Sequence, residues 1–146
     1  MNNQETNRRK FFRIYFNAPL CSEISIIMVN GEKVNTGTTR VCIEDIGPGG
    51  LRFLSYLKLP DNAEIILQFN TRILGKNQSF NGEIVWSKKR NSELWQYGVK
   101  FIVDDATQNK YVGLLNRLLI RLKKIKILSD CSFCSSENKI RCLRGF

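Results

Sequence analysis

Two short stretches hold the residue types that could do chemistry. Arg8-Arg9-Lys10-Phe11-Phe12-Arg13 sets Arg9 and Arg13 four residues apart, ahead of the first apolar alternation. A guanidinium is a planar donor fork that fits phosphate oxygens or the O6/N7 edge of guanine. Two such forks on a mobile arm, with Arg8 beside them, could clamp a ligand having both features. The second stretch is Asp45-Ile46-Gly47-Pro48-Gly49-Gly50. Asp45 could accept hydrogen bonds from guanine N1–H and N2–H2. Gly47, Gly49 and Gly50 would let the backbone N–H groups of an exposed loop approach an anion. Both stretches also have plainer readings. The first can be a solvated basic arm with Phe11 and Phe12 in the core, and the second a hairpin loop whose glycines supply positive φ.

Other chemistry is thinly represented. The sequence has no His, which removes the commonest general base and metal ligand. No Ser-His-Asp or Cys-His arrangement can exist, and neither a P-loop nor G-x-G-x-x-G occurs. No catalytic residues are therefore assigned, and no enzyme activity is expected. The five Cys are 21, 42, 131, 134 and 142. Cys131-Ser-Phe-Cys134 with Cys142 falls one ligand short of the usual four-ligand zinc site, so no metal is expected. The odd count argues against a disulfide framework, and Cys21 and Cys42 read as small apolar fillers. Trp86, on a strand face with Ile84, reads as core, while Trp95 beside a charged loop reads as partly exposed.

These residues need elements to position them. The 146 residues favour one domain, and 42% hydrophobic with 25% charged residues is the composition of a globular one. No apolar run is long enough for a transmembrane helix, and the polar start lacks a signal-peptide core, so a cytoplasmic setting is expected. Ile24, Ile26 and Met28 alternate as in a half-buried strand, followed by the hairpin signal Asn30-Gly31. Val41 and Ile43, Leu51 and Phe53, then Ile65, Leu67 and Phe69 continue the pattern. Phe80, Ile84 and Trp86, then Tyr97, Val99, Phe101 and Val103, complete it. Six strands without an intervening helix predict an antiparallel barrel or sandwich. After Asp104 the period changes. Tyr111, Leu115, Leu118, Leu122 and Ile125 form the stripe of an amphipathic helix, with Asp104 or Asp105 as its cap. That helix is expected to pack on the barrel; a membrane-surface or partner-binding helix is the second reading. The tail past Leu128 is expected to be loosely ordered.

In this order and spacing, the two stretches resemble the PilZ domain family. That family carries R-x-x-x-R before its first strand and [D/N]-x-S-x-x-G in a later barrel loop. Arg9 and Arg13 match the first motif, and Asp45 and Gly50 match the second. Gly82-Glu83-Ile84-Val85-Trp86 and Tyr97-Gly98-Val99-Lys100-Phe101 look like the last two barrel strands. The resemblance implies an all-β six-stranded antiparallel barrel with one C-terminal helix. The organisation expected is a flexible 1–7, a single domain over 8–128 (arm 8–22, barrel 23–103, helix 104–128) and a Cys-containing tail over 129–146. It further implies a non-catalytic sensor of cyclic di-GMP, with no cofactor and an unnamed protein partner downstream, in motility or biofilm control. Arg8, Arg9 and Arg13 would engage phosphates and guanine edges, Asp45 would read a guanine, and Gly47, Gly49 and Gly50 would form the approach. The arm would order over the ligand and change the surface offered to the partner.

One position departs from the motif, since Gly47 stands where the family has Ser. A lost hydrogen bond to a charged group costs about 1.5–3 kcal/mol, or about one to two decades of affinity. Weakened binding is the leading expectation. A ligand-independent adaptor for pilus assembly or motility is the alternative. The net charge of +10 also raises a nucleic-acid-binding barrel. The aromatics fall mainly in core-like alternation rather than as a displayed stacking surface, which ranks that reading last.

Overall fold

The structure, a computed structural model, describes residues 12–91, 93–125, 128–129 and 131–133. Alternating apolar residues give seven strands: β1 (Ile14–Val29), β2 (Glu32–Lys33), β3 (Thr39–Gly47), β4 (Gly50–Ser55), β5 (Ile65–Ile73), β6 (Lys76–Lys89) and β7 (Trp95–Phe101). One helix follows, α1 (Asp105–Lys124). The spatial order is β2-β1-β3-β4-β7-β6-β5, and an additional β1–β5 pairing closes the six long strands into an antiparallel barrel. Closure leaves only the two-residue β2 as a short edge. The barrel and C-terminal helix are those expected from the sequence.

β1 starts well ahead of the alternation that announced it. Its first part pairs with β3 from Ile14↔Ile46 to Ile24↔Thr39, and its second part with β5 from Glu23↔Asn70 to Val29↔Ile65. Pro19 interrupts the pattern, and it sits where the β1–β3 register shifts, between Tyr15 and Leu20. A Pro is tolerated at such an irregularity because no regular ladder bond is lost there. Asn30 and Gly31 both take positive φ (50° and 83°), as a tight β1–β2 hairpin demands.

Side chains pointing inward fill the barrel. Phe53, Phe69 and Tyr97 form a buried aromatic group, with Phe53 5.3 Å from Phe69 and 5.1 Å from Tyr97. The Tyr97 hydroxyl donates to the Leu57 carbonyl (2.6 Å) and accepts from the Leu59 N–H (2.8 Å), so its polar atom is satisfied inside the core. Asp104 caps α1, its carboxylate accepting from the Thr107 N–H at 2.7 Å. Leu114, Leu115 and Leu118 are the buried residues of α1, and Tyr111 packs on Phe80 and Phe101.

Two expectations need correction. The tail is not uniformly loose, because residues 131–133 fill the seam between β1 and β5 beyond the last β1–β5 pair. Cys21 N–H donates to the Ser132 carbonyl (2.6 Å), and Ser132 N–H donates to the Arg72 carbonyl (3.0 Å). Leu20 bridges Phe133, whose ring meets Phe16 at 5.4 Å. Open backbone groups at a barrel seam need partners, and this segment provides them. Cys21 is disulfide-bonded rather than a simple apolar filler. Cys42 is buried against Leu54, with Cys21, Tyr56 and Leu94 around them, in a small apolar cluster apart from the main core. Cys134 and Cys142 lie outside the described residues.

Candidate functional site

Asp45 sits on β3 next to a register irregularity between Ile43 and Asp45. Ile46 and Ile43 point into the core, while Asp45 pairs across the sheet with Tyr15 on β1 and Arg52 on β4. Arg52 pairs in turn with Gly98 on β7, and Gly98 with Trp86 on β6. Five strands therefore place Tyr15, Asp45, Arg52, Gly98 and Trp86 in one row on the outside of the barrel. At the usual spacing between strands, the row runs about 19 Å along the sheet.

The centre of the row is ionic. Asp45 is fully buried although it faces outward, because two arginines cover it. Arg13 Nη1 donates to Asp45 Oδ1 at 3.0 Å. Arg52 Nε donates to the other oxygen, Oδ2. Both arginines remain partly exposed, at 33% for Arg13 and 37% for Arg52. Partial burial alone lowers the Arg52 pKa, but the hydrogen bond and charge of Asp45 outweigh it. With smaller help from Glu44 and Tyr15, the net shift is upward. Arg52 therefore stays cationic.

The ends of the row are aromatic. Tyr15 is exposed, and the Arg52 guanidinium carbon lies 6.0 Å from its ring centroid, at the outer limit of a cation–π contact. Trp86 is 41% exposed, not the core residue its alternation with Ile84 predicts. A register irregularity between Ile84 and Trp86 turns it outward. Its indole lies over Gly98, where an added Cβ would fall 2.0 Å from Nε1. Gly98 thus makes room for the ring beside Arg52. Chemically, the row offers two flat faces for stacking and two guanidiniums for anionic oxygens, held over one covered carboxylate.

The glycine-rich turn is not the exposed cradle expected from the sequence. Gly47, Pro48 and Gly50 are buried and Gly49 is half-buried. None of the three glycines has positive φ. Their role is close packing instead. An added Cβ at Gly50 would lie 2.1 Å from the Val99 carbonyl oxygen, and one at Gly47 would lie 2.6 Å from that of Phe12. The Gly49 carbonyl accepts from Phe101 N–H at 2.9 Å. The place where a Ser side chain would start is therefore taken by the arm's own backbone.

Of the expected site residues, the structure brings Arg13, Asp45 and Gly47 together, with Gly49 and Gly50 behind them. Arg8 and Arg9 lie outside the described residues. Arg52, Tyr15 and Trp86 were not assigned from the sequence. Arg52 directly follows the glycine motif, but only the cross-strand register shows that it shares Asp45. A larger cavity, about 640 Å³, opens over the β1–β5 seam beside Cys21, Arg40 and Arg72. It contains none of the residues of the row.

The family model of the PilZ domain matches residues 7–121. No curated protein sequence matches the chain. Among solved structures, the PilZ domain of CeSA from a cellulose-synthesizing bacterium is similar at 16% identity and a TM-score of 0.53, covering 77% of this chain and 98% of that one. YcgR from Escherichia coli, solved in complex with c-di-GMP, is similar at 18% identity and a TM-score of 0.55, covering 80% of this chain and 48% of YcgR. The Bacillus subtilis inhibitor of motility MotI/DgrA is similar at 16% identity and a TM-score of 0.53, covering 82% of this chain and 54% of that one. This chain thus corresponds to about half of the latter two proteins.

Proposed function

This chain belongs to the PilZ domain family, and we propose that it is a non-catalytic effector that binds cyclic di-GMP on the Tyr15–Trp86 row. The observation that carries the reading is the pairing of Arg13 with Asp45, residues 32 apart in sequence that come from the two family motifs. Cyclic di-GMP has two guanines and two phosphates. Arg13 and Arg52 supply forks for phosphate oxygens or guanine O6/N7, with Arg8 and Arg9 completing the arm. Asp45 retains lone pairs for guanine N1–H and N2–H2. Tyr15 and Trp86 offer faces on which a purine can stack. Gly47, Gly49 and Gly50 keep the turn low so that the arm can lie against it.

Calorimetric titration with cyclic di-GMP tests this. Folded wild type is expected to bind. Arg9→Ala and Arg13→Ala are each expected to weaken binding by about ten- to 150-fold, the loss of one hydrogen-bonded charge partner. Circular dichroism verifies that both variants keep the barrel. Wild-type affinity in both variants refutes the assignment.

One observation favours a second reading, a ligand-independent interaction adaptor. The Phe12 carbonyl occupies the space above Gly47, where the family's Ser would stand. Under this reading folded wild type gives no binding heat with cyclic di-GMP. Gly47→Ser does not restore it, because the new Cβ must first push the arm aside.

A further inference from the structure

The outer face of α1 carries a charge pattern that the nucleotide row does not explain. Lys110, Arg117, Arg121, Lys123 and Lys124 are all exposed, and no Asp or Glu occurs between residues 106 and 125. At 3.6 residues per turn, the five cations fall within an arc of about 160° around Ile120. The buried residues Leu114, Leu115 and Leu118 lie on the opposite side. The helix dipole accounts for Arg121, Lys123 and Lys124 in the last turn. It does not account for Lys110 and Arg117, which lie further back. Nor does packing account for Ile120, which is 56% exposed among these cations.

We propose that this face docks on a bilayer containing anionic lipids. Two observations together favour a lipid surface over another polyanion. The cations extend over about 21 Å of helix, a spread that mobile headgroups can match without a fixed spacing. Ile120 gains from an apolar layer lying directly beneath a phosphate layer, which is what a bilayer interface offers and a nucleic-acid backbone does not. Lys123 also lines a cavity of about 250 Å³ together with Arg13. Docking would therefore bring the arm side of the barrel close to the membrane. The inference does not depend on nucleotide binding.

Co-sedimentation of the whole chain with vesicles tests it. Vesicles of 30% phosphatidylglycerol in phosphatidylcholine are expected to bind the protein, less so as salt rises, and pure phosphatidylcholine is not. Arg117→Gln/Arg121→Gln/Lys124→Gln is expected to lower partitioning about 100-fold, from about fivefold per cation. Ile120→Ser is expected to lower it about fivefold, since roughly half of an Ile side chain is at stake. All four positions are exposed, and thermal melts verify that the variants stay folded. Absence of binding to anionic vesicles, or equal binding by the triple variant, overturns the proposal. Unchanged binding by Ile120→Ser overturns it too, because the face would then be a general polyanion site, as competition by a single-stranded oligonucleotide would show.

Discussion

Removing Arg52 is the sharpest test of how the central carboxylate is held. Asp45 is fully buried and each of its oxygens accepts from a different arginine. A buried charge left without any partner costs about 3–5 kcal/mol. Arg52→Ala does not go that far, since Arg13 stays on Oδ1. The appropriate figure is one lost hydrogen bond between charged groups, about 1.5–3 kcal/mol. Arg52 is 37% exposed, so solvent screens the pair and the lower end, about 1.5 kcal/mol, is expected. For a domain of this size that is a fall in Tm of about 5 °C. Arg13→Ala/Arg52→Ala strips both partners, and the cost should rise beyond the sum of the single variants toward about 4 kcal/mol. Asp45→Asn in that double background should recover much of the loss, because the buried charge is gone. Urea denaturation of wild type, the two single variants, the double variant and the Asp45→Asn triple variant measures all of this. If Arg52→Ala costs under about 0.5 kcal/mol, or if Asp45→Asn gives no recovery, the two-arginine account of Asp45 is wrong.

Three further outcomes follow from the geometry. Gly98→Ala places a Cβ 2.0 Å from Trp86 Nε1, so the indole must lift off the sheet. The expected result is a red-shifted tryptophan emission and a loss of about 1–3 kcal/mol, read by fluorescence and denaturation. Tyr97→Phe removes the hydroxyl that joins Leu57 and Leu59 and should cost about 1–3 kcal/mol in thermal denaturation, with the barrel intact. The hydrogen bonds from Thr107 hold the Asp104 carboxyl below its ordinary value of 3.8. Its stabilising effect is therefore complete above that pH and is lost as pH falls through the lower, folded-state value. Asp104→Ala should remove this acid-side dependence in circular-dichroism melts.

The barrel was legible because its signal is redundant. Each strand announces itself by alternation, and Asn30-Gly31 fixes one hairpin without any tertiary information. The start of β1 was hidden because Asn17-Ala18-Pro19 breaks the alternation at a register shift, where the pattern carries no instruction. Trp86 was misread for a related reason. Its parity with Ile84 holds only if the strand is regular, and the irregularity between them inverts its face. The seam segment 131–133 is only three residues long and joins the barrel partly through its backbone, too short a stretch for a side-chain pattern to be read. At the site, Arg13 and Asp45 could be found because they belong to motifs. Arg52 could not, since its role depends on which residue lies opposite it across two strands.

That cross-strand dependence bears on how the proposed sensor would respond. Asp45 holds both arginines, and the two are not equivalent. Arg52 stands on β4 in the middle of a closed ladder, flanked by pairs to β3 and β7. Arg13 immediately precedes β1 and donates to Asp45 at 3.0 Å, with a third of its side chain exposed. A partly exposed pair of this kind is worth about 1.5 kcal/mol, the figure that applies to Arg52 as well. A doubly charged ligand can compensate for that readily, whereas Arg52 cannot leave without disturbing the ladder that holds it. On the proposed reading, Arg13 is thus the exchanging partner and Arg52 the standing counter-charge that stays on Asp45 while the arm moves. The arm's other anchor is the contact between the Phe12 carbonyl and Gly47, and it lies one residue away. Both anchors are released by displacement of the same short segment. Phe16, three residues further on, packs on Phe133 of the seam strand. The arm and the C-terminal segment therefore meet on one strand, β1.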